Sequence, residues 1–257
     1  MPPVIRLTDE PVDHGSPRFS ADGTEVLFVA SRHAGRDDDL LAGAYAVRVP
    51  APGETPSGVP EVRTVVSHEA GLGVGEAVAV DGGRVYLLAQ ELGESGVDFV
   101  ARNTSLYVLD AADAAPRVLT DAETVDLGRS DITVLDRDAV LVLNASRGTV
   151  QLLRVTADGA VEALVDDQVE VTGVGVGGGA IVVSLTDRAP TATSRSCATT
   201  APPRRAPPSS RSPTSPRPSA SAGSGRCTSS SSRAGTGTRC TAGSCCRRGR
   251  GRIRCSS

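Results

Sequence analysis

Short apolar runs, alternating or β-branched, recur along the chain up to about residue 188, with turn residues between them. The clearest unit lies near the N-terminus. Pro17-Arg18-Phe19-Ser20 is extended, and Asp22-Gly23 makes a tight turn, where glycine tolerates positive φ. Glu25-Val26-Leu27-Phe28-Val29-Ala30 then returns as a strand rich in β-branched and aromatic residues. A further arm follows at 44–49. Residues 50–60 hold four prolines and two glycines and read as a surface connection. A second unit starts at 62–66, passes through 77–80, turns at Asp81-Gly82-Gly83, and returns through 84–89 and 105–110. The third starts at 116–121, whose Arg-Val-Leu-Thr-Asp echoes Arg6-Leu7-Thr8-Asp9. It runs through 131–135, 139–143 and 150–155. Asp158-Gly159 opens a fourth, with strands at 161–165, 169–174 and 180–185 and a turn at Gly177-Gly178-Gly179.

With Leu7, Val65, Leu119 and Leu164 as equivalent positions, the spacings are 58, 54 and 45 residues. Units of this size holding about four short strands are characteristic of propeller blades. Helical periodicity is nearly absent. The expected class is all-β: a partial β-propeller of about four blades of antiparallel strands over residues 1–188. An ordinary sandwich of similar strands is the other arrangement this pattern admits. Blades pack face to face, so an open set leaves a face unburied and strand edges unpaired. Either this chain closes as a small ring or it is part of a larger one.

Composition divides the chain sharply. All 30 acidic residues lie at or before Asp187, and so do every His, Tyr and Phe. Against those acids stand 14 arginines up to Arg188, a net of −16, while the remainder carries 13 arginines and no acid. The overall charge of −3 describes neither part. Residues 1–188 are cysteine-free, which gives no sign of an oxidising compartment. No apolar leader stands at the N-terminus and no run approaches a membrane span, so a cytoplasmic protein without membrane association is expected. The carboxylate excess argues against a nucleic-acid partner for this part.

Candidate chemistry is sparse. A serine hydrolase needs a nucleophile, a histidine base and an orienting acid, and no Gly-x-Ser-x-Gly elbow occurs. Ser224 stands in Gly223-Ser224-Gly225 without a flanking strand and helix. His14, His33 and His68 read as loop or surface residues of the blade hairpins. Cys240, Cys245, Cys246 and Cys255 lack a Cys-x-x-Cys pair and a nearby histidine, so zinc is not expected. Asp37-Asp38-Asp39 lacks the spacing of a calcium loop and reads as a solvated turn. Residues 175–179 lie between strands, with no helix to complete a phosphate loop. The arginines of 247–252 would give weak phosphate binding without sequence preference. No catalytic, cofactor-binding or metal-binding residue is assigned, and no cofactor or specific nucleic-acid partner is expected.

The segment 6–23, followed by Val26-Leu27-Phe28-Val29-Ala30-Ser31-Arg32-His33 and Arg36-Asp37-Asp38-Asp39-Leu40, resembles the propeller of prolyl-oligopeptidase-family serine peptidases. It is most similar to the acylaminoacyl-peptidase and dipeptidyl-aminopeptidase branch. The resemblance covers about residues 4–188. The Ser-x-Asp-Gly hairpin also occurs in non-catalytic, TolB-like propellers, which bind proteins or peptides. In the peptidase family a propeller, usually of seven blades, precedes an α/β-hydrolase domain with a Ser–Asp–His triad and limits substrates to short peptides. The resemblance implies that this chain holds substrate-gating blades, lacks the early blades and the catalytic domain, and meets short peptides as partners. It leaves the oligomeric state open.

Residues 189–257 consist largely of Arg, Ser, Pro, Thr, Ala, Gly and Cys, with Ile253 the single branched aliphatic. A disordered basic tail is one reading. The other is a one-nucleotide frameshift in a GC-rich coding sequence, in keeping with 27 basic residues that are all arginine. Shifting the frame through 237–246 permits Tyr-Pro-Val-His-Gly-Trp-Val-Leu-Leu, which resembles the family's entry into its hydrolase domain. The expected organisation is therefore a partial propeller at 1–188 and a disordered, frameshifted tail at 189–257.

Overall fold

The computed structural model describes residues 4–54, 58–111, 114–166 and 168–187, together with the backbone of 195–200, 247–249 and 252–254. The first antiparallel sheet runs in the order β1 (Gly15–Phe19), β2 (Glu25–Ala30), β3 (Gly43–Arg48), β4 (Val62–Val66). A single 3-10 turn, His68–Ala70, leads into the second: β5 (Leu72–Ala79), β6 (Val85–Glu91), β7 (Ser105–Leu109), β8 (Arg117–Val118). The third holds β9 (Thr133–Asp136), β10 (Ala139–Ser146), β11 (Thr149–Thr156) and β12 (Val161–Val165). A fourth set follows with β13 (Val169–Gly177), β14 (Ala180–Asp187) and β15 (Arg195–Thr200). Beyond it, β16 (Arg247–Gly249) and β17 (Arg252–Arg254) form a short antiparallel ladder. The rest of 189–257, with Ser224 and the cysteines weighed there for zinc, lies outside the described residues.

These are propeller-type blades, and the joints between them repeat. Ala42, just before the third strand of blade 1, bridges in parallel to Gly73 in the first strand of blade 2. Val150 in the third strand of blade 3 does the same to Glu170 in the first strand of blade 4. Between blades 2 and 3 the Leu127 amide donates to the Thr104 carbonyl at 3.1 Å, again just before a third strand. Gly43, beside the first of these joints, lets β3 and β4 of blade 1 lie close. A Cβ there would lie 2.5 Å from the Val66 carbonyl and 2.8 Å from the Tyr45 hydroxyl.

One expectation needs correcting. Residues 62–66 do not open a second unit; as β4 they pair with β3 and close the first sheet. The repeat itself stands. Val65, Leu119 and Leu164 all lie in or beside the fourth strand of a blade, and each packs on the blade that follows. Leu7 packs in the same manner on the outer face of blade 1. The segment around Leu7 and Val12 thus occupies the place of a preceding blade's fourth strand.

Alternation sends successive side chains to opposite faces, and in blades 1 to 3 both faces are covered. Leu27, Val29, Ala44 and Ala46 pack on Leu72, Val74, Ala77, Leu87 and Leu109 between blades 1 and 2. Tyr86, Leu88, Leu106 and Val108 pack on Ile132, Val140, Val142, Leu153 and Val155 between blades 2 and 3. Leu141, Leu152 and Val165 meet Val171, Ile181, Val183 and Leu185 between blades 3 and 4. At the far end, Phe28, Ala30, Tyr45 and Val47 are covered by Leu7 and Val12. Arg32 secures that cover: it pairs with Glu10 and lies 4.7 Å over the Tyr45 ring.

Arginines tie the hairpin ends. Arg84 donates to Asp138 at 2.7 Å, to the Arg137 carbonyl at 3.0 Å and to Asp110 at 3.2 Å, joining blades 2 and 3. Arg117 adds Asp110 and the Ala157 carbonyl. The hydrogen bond from Arg84 is the main reason that the Asp138 carboxyl sits below its ordinary value. Among the described residues no helix is long and apolar enough to cross a membrane.

Leu87 is fully buried in the joint between blades 1 and 2. Leu87→Ala is expected to destabilise the protein by about 2–5 kcal/mol through lost burial and the cavity left behind, read as a lowered urea midpoint.

Candidate functional site

The first strands of blades 1, 2 and 3 converge, and all are irregular where they do. The β1–β2 register shifts between Gly15 and Arg18, with Ser16 at φ 48°; the β5–β6 register shifts between Val74 and Glu76. In blade 3 the approach to β9 leaves the ladder, and the Ser130 hydroxyl accepts from the Leu143 amide in place of a backbone carbonyl. Bulges re-aim side chains and free backbone groups for other partners. Here those partners are the neighbouring blades. The Ser16 hydroxyl donates to the Gly75 carbonyl at 2.7 Å.

Glu76 stands at the centre. Its side chain is 7% exposed. Oε1 accepts from Arg18 Nε at 2.8 Å and pairs with Nη2 at 2.6 Å, while Oε2 accepts from the Ile132 amide at 2.8 Å. One buried carboxylate from blade 2 thus binds a side chain of blade 1 and the backbone of blade 3. A buried charge is tolerated only when its hydrogen-bonding capacity is met, and here both oxygens are engaged. Arg18 remains 44% exposed, so its outer edge faces an open cleft of about 500 Å³. Gly73, Gly75, Thr104, Gly128, Ser130 and Asp131 contribute to the lining. The wall is polar and rich in backbone, which suits an extended chain more than an apolar ligand.

A second polar cluster lies on the loop between β2 and β3. The sequence places His33 at a loop or surface position; the loop is right, but the His33 side chain is only 7% exposed. Its Nε2 meets the Asp39 carboxylate at 2.8 Å, its ring stacks on His68 at 4.3 Å, and its buried Nδ1 has no hydrogen-bond partner among the described residues. Asp39 also departs from the solvated-turn expectation, because it accepts from the Leu41 amide at 2.9 Å and fixes the approach to the Ala42 joint. Burial pushes the Asp39 carboxyl up. The hydrogen bonds from His33 and Leu41, with the nearby His33 and His68, outweigh it and hold the group below its ordinary value. Asp37 and Asp38 are exposed, as is His14, which lies against the Phe28 ring at 4.9 Å. Gly175 and Gly177 belong to β13, and Gly178 and Gly179 make the turn after it. Of the three histidines, His33 and His68 thus come together beside Asp39, and His14 packs on Phe28. Among the described residues no group of three or more His, Cys, Asp or Glu side chains is arranged to hold a metal ion.

The sequence pattern places a strand at 77–80 and leaves Glu76 outside it, whereas β5 begins at Leu72. A signal was present: one carboxylate within the otherwise small and apolar run Leu72-Gly73-Val74-Gly75-Glu76-Ala77-Val78. A lone acid in a buried strand calls for a partner.

The fold and cleft define a set of propeller blades whose first strands meet around one polar wall. No protein-family model and no curated protein matches the chain. Among solved structures it is similar to a puromycin-hydrolysing peptidase of Mycobacterium tuberculosis, with 16% identity over 75% of this chain and 28% of that one, at a TM-score of 0.49. It is also similar to a prolyl endopeptidase, with 16% identity over 72% of this chain and 25% of the other, at a TM-score of 0.44. Prolyl oligopeptidase B of Galerina marginata gives 14% identity over 68% and 25%, at a TM-score of 0.45. The chain spans only 25% to 28% of the length of these proteins.

Two outcomes follow from these geometries. Glu76→Ala is expected to cost about 1–3 kcal/mol, below the loss for a wholly buried pair, because half-exposed Arg18 regains water while the Ile132 amide does not. Glu76→Gln, which keeps an acceptor for Ile132, is expected to lose less; urea midpoints of the two variants give the comparison. At the β1–β2 turn, the Ser20 hydroxyl, the Thr24 amide and the Thr24 hydroxyl lower the Asp22 carboxyl from 3.8 to about 2. A depressed folded-state value favours the folded form above 3.8, and that contribution disappears as pH falls towards 2. Asp22→Asn is therefore expected to flatten the loss of stability across this interval, measured as urea midpoints at stepped pH.

Proposed function

We propose that residues 1–188 are part of the propeller of a prolyl-oligopeptidase-family serine peptidase, of the acylaminoacyl-peptidase or dipeptidyl-aminopeptidase type. The observation that carries this is the resemblance of 6–40, joined to blades that pack in the same order as the sequence units. In this reading the blades admit short peptides to a hydrolase domain and perform no bond chemistry themselves. The full-length relative would cleave peptide bonds through an acyl-enzyme intermediate. Residues 189–257 are the product of a frameshift, which accounts for the loss of every acid and aromatic residue after Asp187. A cytoplasmic location accompanies this reading.

A non-catalytic, TolB-like binding module is the second reading. The Glu76-organised cleft favours it, since that wall is assembled entirely from the blades of this chain.

The two separate at the level of the gene. Sequencing the coding DNA from the codon of Ser184 onward is expected to reveal one inserted or deleted base near Arg188, after which acids, aromatics and a Gly-x-Ser-x-Gly return. A frame that stands as written, with its own stop codon and no hydrolase domain beyond, rejects the peptidase reading. The chain as given is expected to show no turnover of aminoacyl or acyl-peptide chromogenic substrates. Turnover by a clean preparation that a serine-directed covalent inhibitor abolishes would overturn that expectation.

A further inference from the structure

The cleft beside Glu76 contains a guanidinium held for use. Arg18 spends Nε and Nη2 on one oxygen of Glu76, and this leaves the Nη1 edge. Glu76 cannot swing away with it, because its other oxygen accepts the Ile132 amide in a site almost closed to water. The fork is therefore oriented before any ligand arrives, so little side-chain entropy is lost on binding. Around it the wall is polar. Gly73 and Gly75 contribute backbone to it and Thr104 a hydroxyl, while the Ser130 hydroxyl is already engaged, donating to the Asp131 carbonyl and accepting from the Leu143 amide. Asp131 is the exposed carboxylate of the same lining and sets a limit on negative charge there.

We infer that Arg18 is a carboxylate anchor on the inner wall of the blades, and that its ligand is the carboxylate of a short, extended peptide. Arg matches a carboxylate with parallel charge-assisted hydrogen bonds, and Glu76 holds the guanidinium plane in place. Residues 1–188 carry 30 acids against 14 arginines, so this part of the chain repels anions in general. Discrimination then rests on reaching this one fork. The inference deepens the peptide-handling reading above and rests on it for the ligand class.

The test uses the full-length chain and three peptides in isothermal titration: trialanine as the free acid, trialanine amide, and Ala-Glu-Ala amide. One of the two carboxylate-bearing peptides is expected to bind about tenfold more tightly than trialanine amide. Tighter free trialanine identifies a C-terminal carboxylate, and tighter Ala-Glu-Ala amide a side-chain one. Arg18→Lys keeps a cation for Glu76 but removes the fork, and it is expected to erase that preference without altering amide binding. Asp131→Asn removes a like charge and is expected to tighten binding of the preferred peptide, a readout that survives if Arg18→Lys fails to fold. Equal binding of all three peptides overturns the anchor, as does binding of none or a preference that persists in Arg18→Lys. If Arg18→Lys is unfolded, unchanged affinity in Asp131→Asn overturns it as well. A carboxylate preference in a chain whose reading frame stands as written keeps the anchor and sinks the peptidase reading. A restored frame with no preference does the reverse.

Discussion

A single carboxylate, Glu76, ties three blades together where their first strands crowd closest. A single blade has little core of its own, because blades 1 to 3 each bury apolar side chains on both faces against what lies beside them. Face packing is non-directional and would tolerate blades sliding over one another. The Glu76 contacts do not tolerate it, since they require Arg18 from one side and the Ile132 amide from the other at hydrogen-bond distance. The apolar faces supply most of the stabilisation, and the carboxylate sets the registry.

The irregular first strands follow from that demand. A regular ladder would consume the Ile132 amide and the Gly75 carbonyl within their own sheets. Shifting the register at Gly75, and leaving the ladder before β9, releases both groups for neighbours. The same shift turns Glu76 inward and leaves half of Arg18 in the cleft. The features that lock the blades therefore also shape the polar wall, so a ligand there meets the most constrained part of the molecule. At the opposite, hairpin end, exposed pairs such as Arg48 with Glu54 and Arg63 with Glu25 lie within blade 1. Salt screens these, and each contributes little.

Much of the fold was legible in the sequence because its signals are local. Asp22-Gly23 with the strand after it, Gly177 to Gly179, and the paired runs at 139–143 and 150–155 each carry their own turn or alternation. The equivalence of Leu7, Val65, Leu119 and Leu164 was also legible, as those residues repeat one packing role. The sheet to which 62–66 belongs was not, because a strand pattern does not name its hydrogen-bond partner. The site was less legible still. Glu76, Arg18 and Ile132 are distant in sequence, and the bulge that joins them leaves no period to detect. His33 looked like a loop residue, and only the fold shows that His68 and Asp39 close around it.

The displacement between sheet and packing partner bears on how such chains recombine. Val65 belongs to one blade through β4 yet sits in the apolar joint with the next, and Leu119 and Leu164 sit likewise at their own joints. A crossover placed at a sheet boundary, after the fourth strand, would separate that strand's side chains from the surface they were shaped to fit. A crossover after the third strand would carry the fourth along with its downstream neighbour and keep that strand's share of the joint, leaving the shares of the second and third strands, such as Leu27 and Ala44, to be matched by the incoming blade. For shuffling or duplication, the modular unit is therefore the sequence repeat, offset by one strand from the sheet that the eye picks out.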